Sequence, residues 1–146
     1  MRLPASSPVR ALACAAVLSL LAGCHLDLQR DHPLGCPLDQ QALIRDTLYF
    51  GLGMPGGGTV EDAAWQRFVD QVLAPAFPAG FTVVGAQGRW RGADGHSRSE
   101  PSRLVIVLHE DDAGSRAALE RVAQAYRHAF RQESVLRERS TACVTW

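Results

Sequence analysis

Arg103-Leu104-Val105-Ile106-Val107-Leu108-His109-Glu110-Asp111-Asp112 is the stretch on which the fold turns. Its aliphatic run, Leu104 to Leu108, shows no polar alternation and reads as a central strand, apolar on both faces, over 103–109. The acidic loop that follows places Asp112 or Ser115 at a helix N-terminus, where a short oxygen side chain can accept a backbone N–H. Leu119, Val122, Ala123, Tyr126 and Phe130 then recur at helical spacing, a single buried stripe that runs to about Arg131.

Outward from this strand–helix unit the same grammar repeats. A last strand is expected over 134–144. Upstream, Gly92-Ala93-Asp94-Gly95 forms a hairpin turn, prolonged by polar residues to Ser99, after a second strand over 81–91. A first strand over 46–52 alternates, with Leu48, Phe50 and Leu52 to one side and Thr47, Tyr49 and Gly51 to the other. Thr59, with Asp62 three residues on, reads as an N-cap for a helix over 60–73. That helix carries Trp65, Phe68, Val69, Val72 and Leu73 on one stripe and is ended by Pro75 and Pro78. The order β-α-β-β-α-β is the ferredoxin-like split βαβ: an α+β fold with an antiparallel four-stranded sheet and two helices on one face. The name refers to fold alone, since no iron–sulfur cysteine set is present.

The N-terminus reads as a processing signal. Arg2 and Arg10 supply positive charge, and 11–23 is an apolar run shorter than the roughly 20 residues of a bilayer-crossing helix. It ends in Leu21-Ala22-Gly23-Cys24, which resembles the bacterial lipobox. Small residues there let a peptidase approach the backbone, and the Cys24 sulfur takes the diacylglycerol. His25 stands where Asp would mark inner-membrane retention, so the chain is expected at the outer membrane, facing the periplasm and held by a lipid on Cys24. The organisation is then a signal peptide at 1–23, a tether at 24–42 containing Pro33, Gly35 and Pro37, and one domain at 43–146.

Processing changes the composition. All 15 basic residues are Arg, and loss of Arg2 and Arg10 leaves 13 against 15 acidic residues, a charge of about −2. Such a chain has no electrostatic footprint for nucleic acid. Processing also removes Cys14, and Cys24 is lipidated, which leaves Cys36 and Cys143 in an oxidising compartment. In this topology the first and last strands are antiparallel neighbours. Cys36, just before the first, therefore lies beside Cys143, at the end of the last, and a disulfide is expected.

Several motifs occur in a recognisable order: Thr47-Leu48-Tyr49-Phe50-Gly51-Leu52, a helix with Trp65 and Phe68, and Phe77-Pro78-Ala79-Gly80-Phe81-Thr82-Val83. Gly88-Arg89-Trp90-Arg91, Glu100-Pro101-Ser102-Arg103, and Tyr126 with Phe130-Arg131-Gln132-Glu133-Ser134-Val135 follow. From about Cys36 onward the chain resembles an uncharacterised family of small bacterial secreted and lipid-anchored proteins, known as domain of unknown function 3574. The resemblance implies a shared fold and an envelope location. It implies no activity.

The residues with chemical potential are few. Gly51-Leu52-Gly53-Met54-Pro55-Gly56 matches G-x-G-x-x-G, but the helix begins too late to pack its third glycine, and the stretch reads as a flexible turn. No cofactor is expected. His96, His109, Glu110, Asp111 and Asp112 lack metal-ligand spacing, so no metal is expected either. Tyr49 is expected on the open side of the sheet, with Arg89, Arg91 and His109 beside it and Val105 or Val107 supplying apolar surface. Glu100 is the internal partner an arginine there would otherwise take. These five residues, Tyr49, Arg89, Arg91, Glu100 and His109, form the candidate surface for a small-molecule ligand of unknown identity. An uncovered apolar strand also suits a homodimer through the open face. The leading expectation is a non-enzymatic module that binds a ligand or a partner. The alternative is a cofactor-free enzyme on a dimeric ferredoxin-like barrel, with His109 as base and Glu100 as acid. A purely structural role would lock Arg89 and Glu100 in a salt bridge.

Overall fold

The computed structural model describes residues 35–146. The signal sequence, the lipobox with Cys24, and the tether up to residue 34 lie outside the described residues. Among the described residues no helix is long and apolar enough to cross a membrane.

Strands β1 (Gln41–Gly51), β2 (Thr82–Arg91), β3 (Ser97–His109) and β4 (Leu136–Val144) form one sheet in the order β2-β3-β1-β4. Every neighbouring pair is antiparallel. Between β1 and β2 the chain makes helix α1 (Asp62–Phe68), a π-helical turn (Val69–Leu73) and a short α2 (Ala74–Ala76). Helix α3 (Ala113–Phe130) joins β3 to β4. The α+β, ferredoxin-like split βαβ architecture is thus the one the element order implied.

The core lies between the sheet and the helices. Leu48 and Phe50 of β1, Val105 and Val107 of β3, Trp65 and Phe68 of α1, and Leu119, Val122 and Tyr126 of α3 are all buried in it. Phe50 meets three aromatic rings there, with centroids of Tyr126 at 4.6 Å, Trp65 at 5.6 Å and Phe68 at 6.0 Å. Edge-on aromatic contacts of this kind add to area burial.

The element boundaries differ from expectation for identifiable reasons. Thr59 does not cap α1. It bridges to Gly53, while the Val60 N–H donates to the Leu52 carbonyl at 2.7 Å, so the chain stays extended and Glu61 becomes the N-cap without a side-chain bond. Pro75 does not end the helix either. The ladder widens into the π turn before it, the Ala74 N–H reaching back to the Val69 carbonyl, ahead of a residue with no N–H to give. At α3 the cap is Asp112, which accepts the Ser115 N–H at 2.9 Å. Strand β3 begins six residues earlier than the apolar run suggested, because Ser97–Pro101 pair with β2 alone as a ribbon beyond the body of the sheet. Strand β1 likewise starts at Gln41, inside the segment expected as tether.

Cys36 and Cys143 form a disulfide with Cα atoms 5.5 Å apart across a sequence separation of 107 residues. Pairing of Ala42 with Cys143 in the β1–β4 ladder brings the two together.

Candidate functional site

Directly paired residues of neighbouring strands point to the same face of a sheet. Leu48 pairs with Val105, and Val105 with Val83, so these residues face the helices. Continuing the unbroken β2–β3 register, Gln87, Arg89 and Arg91 fall on that same side of the ribbon. Tyr49 pairs with Leu104 and Leu136, and Leu104 with Val84. The open face therefore carries Tyr49, Leu104, Ile106, Leu108, Leu136 and, on the ribbon, Trp90 opposite Arg98 and Gly88 opposite Glu100. This corrects the expected placement of Arg89 and Arg91 beside Tyr49, and of Val105 or Val107 on the open side. The Val83-Val84 pair gives no alternation from which to count.

His109 is also elsewhere. It pairs with Ile44 at the opposite end of β1 from Gly51, on the helix side. Its Nε2 is 2.7 Å from Asp46 Oδ2, and its Nδ1 is 2.6 Å from the Glu110 carbonyl, so both ring nitrogens are engaged within the fold. Arg137 completes the cluster, with Nε 2.6 Å from Asp46 Oδ1 and Nη2 3.2 Å from Oδ2. Asp46 is fully buried. Burial by itself would raise its pKa, but the hydrogen bonds and positive charge of Arg137 and His109 outweigh it and hold the carboxyl below its ordinary value. The cluster is a structural clamp joining β1, β3 and β4.

A cleft of about 730 Å³ lies where β1 stops. Strand β1 ends at Gly51, whereas β2 and β3 continue as the ribbon to the turn at 92–96, and 132–135 lead into β4 on the other side. The space between is floored by the glycine loop at 53–58, in which Gly56, Gly57 and Gly58 all have φ between 83° and 100°. Of the five residues singled out from the sequence, Tyr49, Arg89 and Glu100 line this cleft; Arg91 and His109 do not. Trp90, Ser102 and Leu136 line it as well and were not singled out. The register of β2 against β3 places Trp90 and Ser102, and that of β1 against β4 places Leu136.

Glu100 is the most deliberately placed polar group in the cleft. Its Oε2 accepts the Gly53 N–H at 3.1 Å. A Cβ on Gly51 would stand 2.5 Å from Glu100 Oε1, and a Cβ on Gly53 would collide with Oε2. The first two glycines of the G-x-G-x-x-G stretch thus clear a seat for this carboxylate. Behind them the buried Tyr126 hydroxyl donates to the Gly51 carbonyl at 2.8 Å. Burial, and secondarily the charge on Glu100, push the Tyr126 pKa well up. Opposite, Arg98 forks onto Asp94, and that bond lowers the Asp94 pKa. Tyr49 donates its hydroxyl to Glu138 at 2.7 Å, which raises its own pKa. Among the described residues Arg89 and Glu100 form no ion pair, so the salt bridge of a purely structural role is not made.

Residues 45–146 match a family described as "Protein of unknown function (DUF3574)". Among solved structures, a phage SAM lyase in complex with S-methyl-5'-thioadenosine is similar at 16% identity and TM-score 0.54, over 71% of this chain and 90% of that one. The same lyase in its apo state gives 16% and 0.51, over 72% and 90%. CutA from Synechococcus elongatus PCC7942, complexed with Bis-Tris, gives 12% and 0.41, over 72% and 83%. At such identities the likeness to the lyase concerns the fold. The comparison with curated proteins finds no match.

Proposed function

The chain belongs to this family of unknown function (DUF3574), and from that premise we propose that it is a lipid-anchored envelope module that binds a small ligand in the cleft at the end of β1. The carrying observation is the cleft itself. It is large enough for a metabolite, walled by Tyr49, Trp90 and Leu136, and supplied with Glu100 and Ser102 as polar groups. Trp90 is 43% exposed, an apolar surface that a ligand would remove from water. Cleavage before Cys24 and acylation of its sulfur would hold this module at the outer membrane on the periplasmic side. The Cys36–Cys143 disulfide fits an oxidising compartment.

The cofactor-free enzyme reading loses support, because its acid–base pair is not assembled: Glu100 lines the cleft and His109 is bonded to Asp46 outside it. The homodimer remains a proposal with a defined surface. Beside the cleft, the open face shows Val84, 41% exposed, with the partly exposed Leu104, Ile106 and Leu108. Sedimentation of the full protein tests it, and a monomer at high concentration ends it.

The ligand reading is tested on protein purified from its own membranes in mild detergent. Native mass spectrometry is expected to show an acylated chain beginning at Cys24 with a bound small molecule, and Trp90→Ala is expected to shed that molecule while remaining folded. An unacylated chain with its first methionine intact would refute the anchor. An empty wild-type protein, or an adduct that Trp90→Ala retains, would refute the cleft.

A further inference from the structure

Glu100 is partly buried, and its one side-chain hydrogen bond among the described residues comes from a backbone amide. No Arg or His among those residues pairs with it. A carboxylate withdrawn from water without a counter-ion is destabilised, and a cation brought to it recovers that cost. Yet the sequence holds the group there, since Gly51 and Gly53 both leave room for it. The guanidinium on the same side of the ribbon, Arg98, is already neutralised by Asp94. Arg89 belongs by register to the other side of the ribbon, yet it lines the cleft as well, so the lining holds two guanidinium groups, Arg89 and Arg98, against three carboxylates, Asp94, Glu100 and Glu133. The lining thus keeps an excess of carboxylate, with Glu100 in no ion pair among the described residues, and it includes two aromatic residues, Tyr49 and Trp90. Aromatic rings beside a carboxylate attract an organic cation through their quadrupoles. Among the described residues no group of three His, Cys, Asp or Glu side chains could hold a metal ion.

Resting on the cleft reading above, we propose that the group recognised is an organic ammonium, held by the Glu100 carboxylate between Trp90 and Tyr49.

The test uses the acylated mature protein in neutral detergent, freed of ligand by dialysis, and isothermal titration calorimetry. The probes are choline, spermidine, and 3,3-dimethylbutanol, the uncharged carbon isostere of choline. At least one of the two ammonium probes is expected to bind in the millimolar range or tighter, and the isostere to bind more weakly. Glu100→Gln keeps an oxygen for the Gly53 amide and is expected to fold, yet to weaken ammonium binding roughly tenfold or more, the equivalent of one charge-assisted contact. Trp90→Ala is expected to weaken it too. Binding of the isostere as tight as that of choline, an unchanged affinity in Glu100→Gln, or no binding of either ammonium probe overturns the assignment. The cleft reading is judged separately, by the molecule that co-purifies with wild type and is lost in Trp90→Ala: its retention of a neutral or anionic molecule would keep the cleft and sink the ammonium.

Discussion

Asp46→Asn is expected to be among the most damaging single substitutions in the domain, although it changes one atom. The wild-type carboxylate is 0% exposed and accepts from Arg137 at 2.6 and 3.2 Å and from His109 at 2.7 Å. An amide keeps one oxygen, which can serve Arg137 Nε, but it turns its N–H toward Arg137 Nη2 and makes His109 Nε2 an acceptor in place of a donor. It also removes the negative charge that compensates Arg137. Breaking a buried pair from one side costs about 3–5 kcal/mol. Because Arg137 is 29% exposed and can recover water, the lower end applies, about 3 kcal/mol. For a domain of this size that is a fall in Tm on the order of 10–15 °C. Urea unfolding with the disulfide intact measures it. The pH dependence provides a second check. The Asp46 carboxyl is held below its ordinary value of 3.8, so its stabilisation is fully present above that pH and is lost as the pH falls through the depressed native value. The gap between wild type and Asp46→Asn should therefore be constant from neutral pH to about 4 and narrow below it. A neutral-pH loss under about 1 kcal/mol, the scale of an ordinary surface change, would refute the clamp; so would a gap that survives acid unchanged.

Gly51→Ala places a Cβ 2.5 Å from Glu100 Oε1, and since the obstacle is the end of a flexible side chain the fold should survive with a loss of about 1–2 kcal/mol. The same variant should lose ammonium binding, which titration reads directly. Reducing the Cys36–Cys143 disulfide, or changing both to Ser, should cost up to about 4–5 kcal/mol in the chain-entropy account, measured by urea midpoints with and without reductant. Asp112→Ala removes the acceptor for the Ser115 N–H and should lower stability by about 1 kcal/mol, with no effect on the cleft.

The identity and order of the elements were legible in the residues. So was the core: the alternation of Leu48 and Phe50, and the stripes carrying Trp65, Phe68, Leu119, Val122 and Tyr126, depend on neighbours a few residues away. The disulfide was legible too, because topology alone puts the ends of β1 and β4 together. The side of the sheet on which each β2 residue lies was not. It depends on cross-strand register, and Val83-Val84 breaks the alternation that would have signalled it. Arg91 consequently left the expected surface, Arg89 changed side by register while still lining the cleft, and Trp90 entered it. Nor could local pattern show that His109 is bonded to Asp46 across 63 residues, or that Glu100 sits in a seat cleared by Gly51 and by Gly53, the latter 47 residues away. A side chain's secondary structure is written in its near neighbours. Its chemical partner is whatever the folded chain brings within 3 Å or so, and that distance has no counterpart along the sequence.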